Sequence, residues 1–192
     1  MHVRTETLDD EIAVTVDAAL EMANLIAAPS DDDPDELAAA VRRTLVDHEF
    51  VRARSASADE LAALVDRMTA IGRLLGQLPD RELADAVRRL NVELESSAIA
   101  PSLSAHDGFA LHIHWTSPTT PFAHQVAVDV LMAVAQTLCD HGVERFGRCA
   151  AEGCERLFYD TTKNRSRRFC ADQRCASRTH TAAHRARQAA SA

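Results

Sequence analysis

The chain has 192 residues, of which 46% are hydrophobic and 26% are charged, proportions typical of a folded globular protein and not of a disordered or fibrous one. Its most apolar stretch, Val126 to Leu138, is interrupted by Asp129 and Gln136, so it falls short of the roughly 20 residues that a membrane span requires. The acidic N-terminus lacks the apolar segment of a secretory signal. We therefore expect a cytoplasmic protein without a membrane partner, in which cysteines indicate metal binding before disulfides.

The net charge of −8 hides an uneven distribution along the chain. Residues 1–144 contain 10 Arg and 25 Asp and Glu, a net −15, whereas residues 145–192 contain 11 Lys and Arg and 4 Asp and Glu, a net +7. This division predicts an acidic N-terminal domain over 1–144 and a small basic domain over 145–192. A basic segment of this kind is an electrostatic footprint of nucleic-acid binding.

Helical spacing of apolar residues dominates the N-terminal domain. Helices are predicted over 12–28, from Pro34 to about His48, from the capping box at Ser57–Glu60 to Pro79, from Asp80 to Glu95, and over Phe122–His141 with Gly142 as the stop. Asp33 before Pro34, with Glu36 three residues later, is a second predicted capping box. Cys139 lies in the apolar context of the last of these helices and is interpreted as a core thiol.

The periodicity changes to alternation between Ser102 and Trp115. Asp107-Gly108 at the centre suits a tight turn, so a β-hairpin is predicted there. His112 and His114 then face the same side of a strand, a geometry that is compatible with metal but more often found for partly exposed polar residues. The N-terminal domain is accordingly mainly α, an α+β arrangement with one β-hairpin.

Four cysteines in the basic domain form two pairs, Cys149-x4-Cys154 and Cys170-x4-Cys175. Zinc takes four soft ligands in a tetrahedron, and short loops within each pair let the thiolates converge. The spacing predicts one structural Zn²⁺ ion in a closed site, which leaves no open position for a catalytic water. Between the pairs we expect a strand at 157–159, a polar turn over 161–166 and a return strand at Arg168-Phe169, followed by a helix from Gln173. This order is that of a treble-clef-like zinc finger.

The finger resembles a known family, the CGNR-type zinc finger. The resemblance rests on the following residues of this chain: Arg148-Cys149, Cys154, Phe158-Tyr159-Asp160, Asn164-Arg165-Ser166, Arg167-Arg168-Phe169-Cys170, Cys175, Arg178 and His184-Arg185-Ala186-Arg187. Ala176-Ser177 stands where the family's name motif has Gly-Asn, and Phe169 stands where Trp is common. In that family a larger N-terminal region, the ABATE domain, precedes the finger, and Leu20 to Asn24 and Arg89 to Asn91 resemble it here. The resemblance implies a bacterial, stress-induced transcription regulator.

Apart from the family resemblance, the evidence for function is the arginine residues that surround the paired cysteines. Arg174, Arg178 and Arg185 share one stripe of the last helix with Thr181, while Ala176, Ala183 and Ala186 can face the body of the protein. Duplex DNA is the predicted partner. The candidate DNA contacts are Lys163, Arg165, Arg167, Arg168, Arg174, Arg178, Arg185 and Arg187, with Arg178 expected to matter most.

Two other functional classes stay open. The finger is an adaptor if its basic surface docks an acidic partner or the chain's own acidic domain, and His180 and His184 are alternative ligands or phosphate contacts. The other class is an enzyme or a ligand sensor that uses a pocket between the helices and His112 and His114, a place compatible with a small-molecule or protein signal. Phosphate-loop, nucleophile-elbow and metalloprotease motifs do not occur, so no enzymatic activity is expected.

Overall fold

A computed structural model describes residues 8–28, 34–104 and 112–189 of the chain. Within these ranges the helices are α1 (Leu8–Ala27), α2 (Pro34–Asp47), α3 (Ala58–Leu75), α4 (Leu83–Glu95), α5 (Phe122–His141) and α6 (Gln173–Ala189). The strands are β1 (Ser102–Ser104), β2 (His112–His114), β3 (Phe146–Arg148) and β4 (Leu157–Tyr159). Two 3-10 turns cover Val51–Arg54 and Leu78–Asp80. The predicted mainly helical fold is confirmed.

Local signals place the helix ends. The Ser57 hydroxyl accepts a hydrogen bond from the Glu60 backbone N–H at 3.2 Å, and the Glu60 carboxylate accepts one from the Ser57 N–H at 2.8 Å, so the predicted capping box begins α3. Gly142 ends α5 with a φ of 64°, which glycine adopts readily. The prediction that a helix begins at Asp80 is wrong, because Asp80 closes a 3-10 turn and α4 begins at Leu83. Asp33, the predicted cap of α2, lies outside the described residues.

The core forms where α1, α3 and α5 pack against one another. Each helix contributes the apolar stripe that its sequence predicts, and α3 buries Leu61, Leu64, Met68, Ile71, Leu74 and Leu75. By length and composition alone α5 could cross a membrane, but 61% of its most apolar stretch is buried inside the protein. We therefore describe α5 as the central core helix.

The hairpin predicted between Ser102 and Trp115 is present as an antiparallel pair in which Leu103 faces Ile113. Both of these side chains are exposed. The Asp107-Gly108 turn and the side chain of His112 lie outside the described part of the chain. Cys139 is exposed at the end of α5, so its interpretation as a core thiol is wrong. The side chain lies in the last turn of the helix, where the following residues Asp140 and His141 are exposed as well.

The buried core continues past residue 144. Phe146 on β3, with Leu157 and Tyr159 on β4, belongs to the same buried cluster as the helices. The four paired cysteines form a second, smaller cluster with Ala151 and Phe169. The boundary at 144 stays a prediction, and the structure adds that the base of the basic domain is built into the helical core.

The apolar stretch of the central helix α5 contains one acidic residue. The side chain of Asp129 is partly buried and forms no hydrogen bond or ion pair within the described residues. Burial raises its pKa from 3.8 to about 7, because the low-dielectric surroundings disfavour the charged form. The folded protein thus holds this proton more tightly than the unfolded chain does.

Asp129→Asn tests the free-energy cost of burying the charged Asp129 carboxylate. Stability contributed by the neutral form is lost as the pH rises from about 4 towards 7, so the substitution should raise the free energy of unfolding by a few kcal/mol at about pH 8 and change it little at about pH 4. Denaturant unfolding at the two pH values is the measurement. Asp140→Asn, at the exposed end of the same helix, is the control and should have little effect at either pH. An equal effect of Asp129→Asn at both pH values would contradict the burial of its charge.

Candidate metal centre

The four paired cysteines bring their sulfurs together. The Sγ atoms of Cys149, Cys154, Cys170 and Cys175 all lie within 4.8 Å of one another, with 4.0 Å between Cys154 and Cys170 and 3.7 Å between Cys170 and Cys175. A zinc ion with Zn–S bonds of about 2.3 Å holds tetrahedral sulfurs about 3.8 Å apart. The thiols are free, and their separation is far above a disulfide bond of about 2.05 Å. The arrangement fits one Zn²⁺ ion.

The first pair lies in the turn that joins β3 to β4. Cys149 directly follows β3, and its N–H donates to the Arg156 carbonyl at 2.9 Å, which extends the ladder by one bond. The chain then reverses, with the Cys154 N–H donating to the Ala151 carbonyl at 3.0 Å. Gly153 just before Cys154 has a φ of 71°, a conformation that glycine adopts without strain. The hairpin therefore delivers both sulfurs to one side.

The second pair lies at the start of α6. Cys175 is in the first turn of the helix, where the backbone N–H groups favour a negatively charged thiolate. Asp172 caps that turn: its carboxylate accepts from the Arg174 N–H at 2.9 Å, and the Arg174 side chain lowers the pKa of Asp172 to about 2. Arg178 donates to the Cys175 sulfur at 3.7 Å. This Arg, shared with the family's name motif, thus contacts a metal ligand.

The neighbouring thiols affect the pKa values of Cys149 and Cys170. Burial opposes ionisation of Cys149, but backbone hydrogen bonds from Cys170 and Ala151 hold its pKa below the ordinary 9.0. Burial, with the neighbouring sulfurs of Cys149 and Cys175, raises the pKa of Cys170 to about 12. Four thiolates at this spacing repel one another strongly, and a divalent cation offsets that repulsion.

A side chain replaces the return strand that the sequence predicts at Arg168-Phe169. The Arg167 guanidinium donates to the Tyr159 carbonyl at 2.9 Å and to the Phe169 carbonyl at 3.0 Å, so one arginine bridges the two segments that a strand pair would have joined. β4 pairs with β3 instead. The predicted second strand is therefore wrong, and the hairpin of the finger is the one that contains the first cysteine pair.

The loop after β4 is held by Asp160, which is 4% exposed. Its carboxylate accepts from the Thr162 N–H at 2.8 Å, the Thr162 hydroxyl at 2.6 Å and the Arg167 N–H at 2.8 Å. Burial alone would raise its pKa, but these hydrogen bonds lower it. Sequence reasoning included Asp160 in the family resemblance without assigning it this role.

Gly147 is the residue of this module that sequence reasoning missed. A Cβ at this position would lie 2.4 Å from the nearest Phe158 ring atom, so the ring packs directly on the backbone of β3. The Arg167 guanidinium lies over the same ring at 5.1 Å from its centroid. The available signal was a glycine inside a strand next to a large apolar partner.

Asn24 on α1 joins the helices to the finger. Its side-chain amide donates to the Leu157 carbonyl at 2.9 Å, and its carbonyl accepts from the Leu157 N–H at 2.7 Å. The side chain therefore pairs with β4 as a neighbouring strand would. On the other strand, Arg148 donates to the Gly76 carbonyl at 2.8 Å and to the Asp80 carboxylate at 2.7 Å.

The comparison with known families agrees with this geometry. Residues 145–188 match the CGNR zinc finger family, which covers the hairpin, both cysteine pairs and nearly all of α6. A search of curated proteins finds no significant match to the chain. The ABATE resemblance of residues 1–144 lies outside the matched range and stays a prediction. Ala176, in place of the motif's glycine, lies inside α6, where alanine favours the helix.

The basic residues predicted to bind DNA differ in their exposure and in their contacts within the protein. Arg167 is half-buried on backbone carbonyls, Arg174 pairs with Asp172 at 2.8 Å, and Arg165 lies 3.7 Å from Glu144. The remaining residues of the set are exposed: Lys163, Arg168, Arg178, Arg185 and Arg187. Two of them also make contacts: the Arg168 guanidinium lies over the Phe169 ring at 6.0 Å from its centroid, and Arg178 donates to the Cys175 sulfur.

The far half of α6 stands away from the rest of the described chain. Every residue from Thr181 to Ala189 is exposed. The prediction that Ala183 and Ala186 face the body is therefore wrong, because both are exposed where α6 extends past the small cysteine cluster. Phe169 contacts the last residue before this stretch, His180, at 5.8 Å between ring centroids.

Zinc content and chelation test the site. The purified chain should hold one zinc ion, and Cys170→Ser should release it because three thiolates no longer close the tetrahedron. Zinc binding of about 10–16 kcal/mol stabilises such modules, so a chelator should expose residues 161–189 to protease while the helical circular dichroism of the core is largely retained. Elemental analysis and limited proteolysis are the measurements.

Cys139→Ser is the matched control, since this exposed thiol lies outside the cluster. It should leave the zinc content at one per chain. Loss of zinc from this variant equal to that from Cys170→Ser would contradict the assignment of the four ligands.

Asn24→Ala tests the connection between helices and finger. It leaves both backbone groups of Leu157 without their partner, and a buried unpaired group of this kind costs about 1–3 kcal/mol. Denaturant unfolding of the zinc-loaded chain should show a loss in that range. Asn91→Ala on the exposed surface of α4 is the control and should not destabilise. A loss below about 0.5 kcal/mol for Asn24→Ala would show that the pairing is dispensable.

Proposed function

We propose that this chain is a zinc-dependent, DNA-binding transcription regulator that responds to stress. The observation that carries the proposal is α6, a basic helix fixed at its first turn by Cys175 and exposed along its whole second half. A helix that is fixed at its first turn, and whose second half is exposed residue by residue, is suited to enter a groove. Its 17 residues span about 25 Å, and the major groove of B-DNA admits one helix.

Basic residues of α6 lie on a face of the helix that a DNA duplex could contact. Arg178 and Arg185 are seven residues apart, two helical turns, and so share one face. Arg185 and Arg187 lie in the solvent-exposed half of the helix, where phosphate oxygens or guanine edges could be reached. Arg178 has a double role in this proposal, since its guanidinium also donates to the Cys175 sulfur.

The loop over residues 161–168 supplies a second set of contacts. Lys163 and Arg168 are exposed on a loop whose shape is fixed by Asp160 and by the Ser166 N–H donating to the Thr162 hydroxyl at 2.9 Å. Arg167 is excluded from the DNA contacts because its guanidinium holds two backbone carbonyls. Rigid presentation of Lys163 and Arg168 reduces the entropy lost when phosphates bind.

The acidic part of the chain completes the proposal. The net −15 of residues 1–144 repels a phosphate backbone and orients the basic module towards DNA. We place the protein in the cytoplasm, where thiols stay reduced and available to zinc. The closed four-sulfur site supports a structural metal and not a metal-centred enzyme.

The salt dependence of DNA binding tests the proposal. Affinity for duplex DNA should fall linearly on a log–log plot against salt, and each phosphate contact removed by Arg185→Ala or Lys163→Ala should flatten the slope by about 0.9. Arg168→Ala should flatten the slope by a similar amount. Fluorescence anisotropy with a labelled duplex at several salt concentrations is the measurement, with zinc content checked for each variant.

Arg88→Ala is the matched control, because this exposed arginine lies on α4 in the acidic part of the chain. It removes the same charge and should leave the slope unchanged. An unchanged slope for the triple variant of Lys163, Arg168 and Arg185, with zinc retained, would reject DNA binding by this surface and favour the adaptor function.

A further inference from the structure

A cavity of about 470 Å³ lies in the N-terminal part of the protein, and none of residues 145–189 lines it. Its walls come from the 3-10 turn at Val51–Arg54, strand β1, the segment after β2 and the first half of α5. This volume falls within the roughly 300–1,000 Å³ of small-molecule sites. The apolar lining consists of Phe50, Val51, Leu103, Pro118, Phe122 and Val126.

The cavity contains one carboxylate that the fold leaves unpaired. Asp129 lines it and also lines a second cavity of about 170 Å³ beside it. No described residue forms a hydrogen bond or ion pair with Asp129. Burial alone raises its pKa to about 7, so no neighbouring cation offsets the charge. A charge without a partner in apolar surroundings destabilises the fold until a cation reaches it.

Arg52 lines the same cavity, but its guanidinium already binds other groups of the protein. The Arg52 guanidinium donates to the Thr120 carbonyl at 3.2 Å and to the Gln125 side-chain oxygen, and it lies over the Phe122 ring. Its donors thus bind the rim of the cavity and leave the Asp129 carboxylate to a ligand. The other titratable groups in the two linings are His114 on β2 and Glu11 on α1.

Exposed apolar side chains surround the entrance. Val51 is 58% exposed and Leu103 is 68% exposed, and both line the cavity. Removing large aliphatic side chains from water is favourable. A ligand that carries an apolar body would cover them.

We propose that this cavity binds a small organic cation, an ammonium ion attached to an apolar or aromatic group. The ammonium pairs with the Asp129 carboxylate, and the apolar group packs between Phe50, Phe122 and Val126. The ring of Phe50 adds cation–π attraction when the charge lies near its face. This site is separate from the DNA-binding proposal, and neither depends on the other.

Binding to the full-length, zinc-loaded chain tests the site. The probes are 2-phenylethylammonium and benzyltrimethylammonium, with neutral 2-phenylethanol and anionic phenylacetate as comparisons of similar size. Fluorescence of Trp115, the chain's single tryptophan and part of the second cavity's lining, reports binding. Thermal unfolding provides an independent readout. Both ammonium probes should bind at least tenfold more tightly than the alcohol or the acid.

Asp129→Asn should abolish this preference, reducing ammonium affinity at least tenfold and leaving the alcohol unchanged. The variant should fold, because it removes a buried charge, and Asp140→Asn on the same helix should bind as the native chain does. Leu103→Lys, at an exposed position of the rim, adds a cation near the entrance and should also weaken ammonium binding. Equal affinity of Asp129→Asn for the ammonium probes, preference for phenylacetate or the alcohol, or no response to either ammonium probe would overturn the proposal.

Discussion

Convergence of four cysteine sulfurs is the constraint on which the C-terminal part of this protein depends. The cluster around them contains few apolar side chains, so burial alone supplies little stability there. Buried thiols at separations near 4 Å repel as thiolates, and a tetrahedral dication converts that repulsion into attraction. The four sulfurs fix the positions of three segments: the start of α6, the turn between β3 and β4, and the loop held by Asp160. The far half of α6 is oriented by them, and all of its residues from Thr181 to Ala189 are exposed.

The metal cluster is joined to the helical core through the backbone of one hairpin. One end of the hairpin holds Cys149 and Cys154, and the other buries Phe146 and Tyr159 among the helices. Asn24 supplies hydrogen bonds to β4 as a neighbouring strand would. Zinc therefore stabilises a hairpin that is also part of the main core, which ties the acidic and basic parts of the chain together although their sequences suggest two separate units.

Sequence patterns predicted what depends on local periodicity and ligand spacing. The extent of α5 follows from the helical spacing of its apolar residues. The capping box of α3 follows from side chains that reach the backbone three residues away, and the grouping of four cysteines follows from zinc's preference for thiolates. Contacts between residues that are far apart in the sequence could not be predicted, nor could a side chain taking the place of a strand. Arg167 takes the carbonyls that a return strand would have used, Gly147 is required by the ring of Phe158, and Asn24 acts across a separation of 133 residues. None of these leaves a periodic signal in a single sequence.

X-ray absorption at the zinc K-edge tests the central claim most directly, because it reports the number and type of atoms around the metal in the intact chain. The account predicts four sulfur neighbours at about 2.3 Å and no nitrogen at about 2.0–2.1 Å. The same shell should persist when His180 and His184 are both replaced by alanine. A mixed shell of sulfur and nitrogen that changes in this double variant would contradict a site closed by Cys149, Cys154, Cys170 and Cys175.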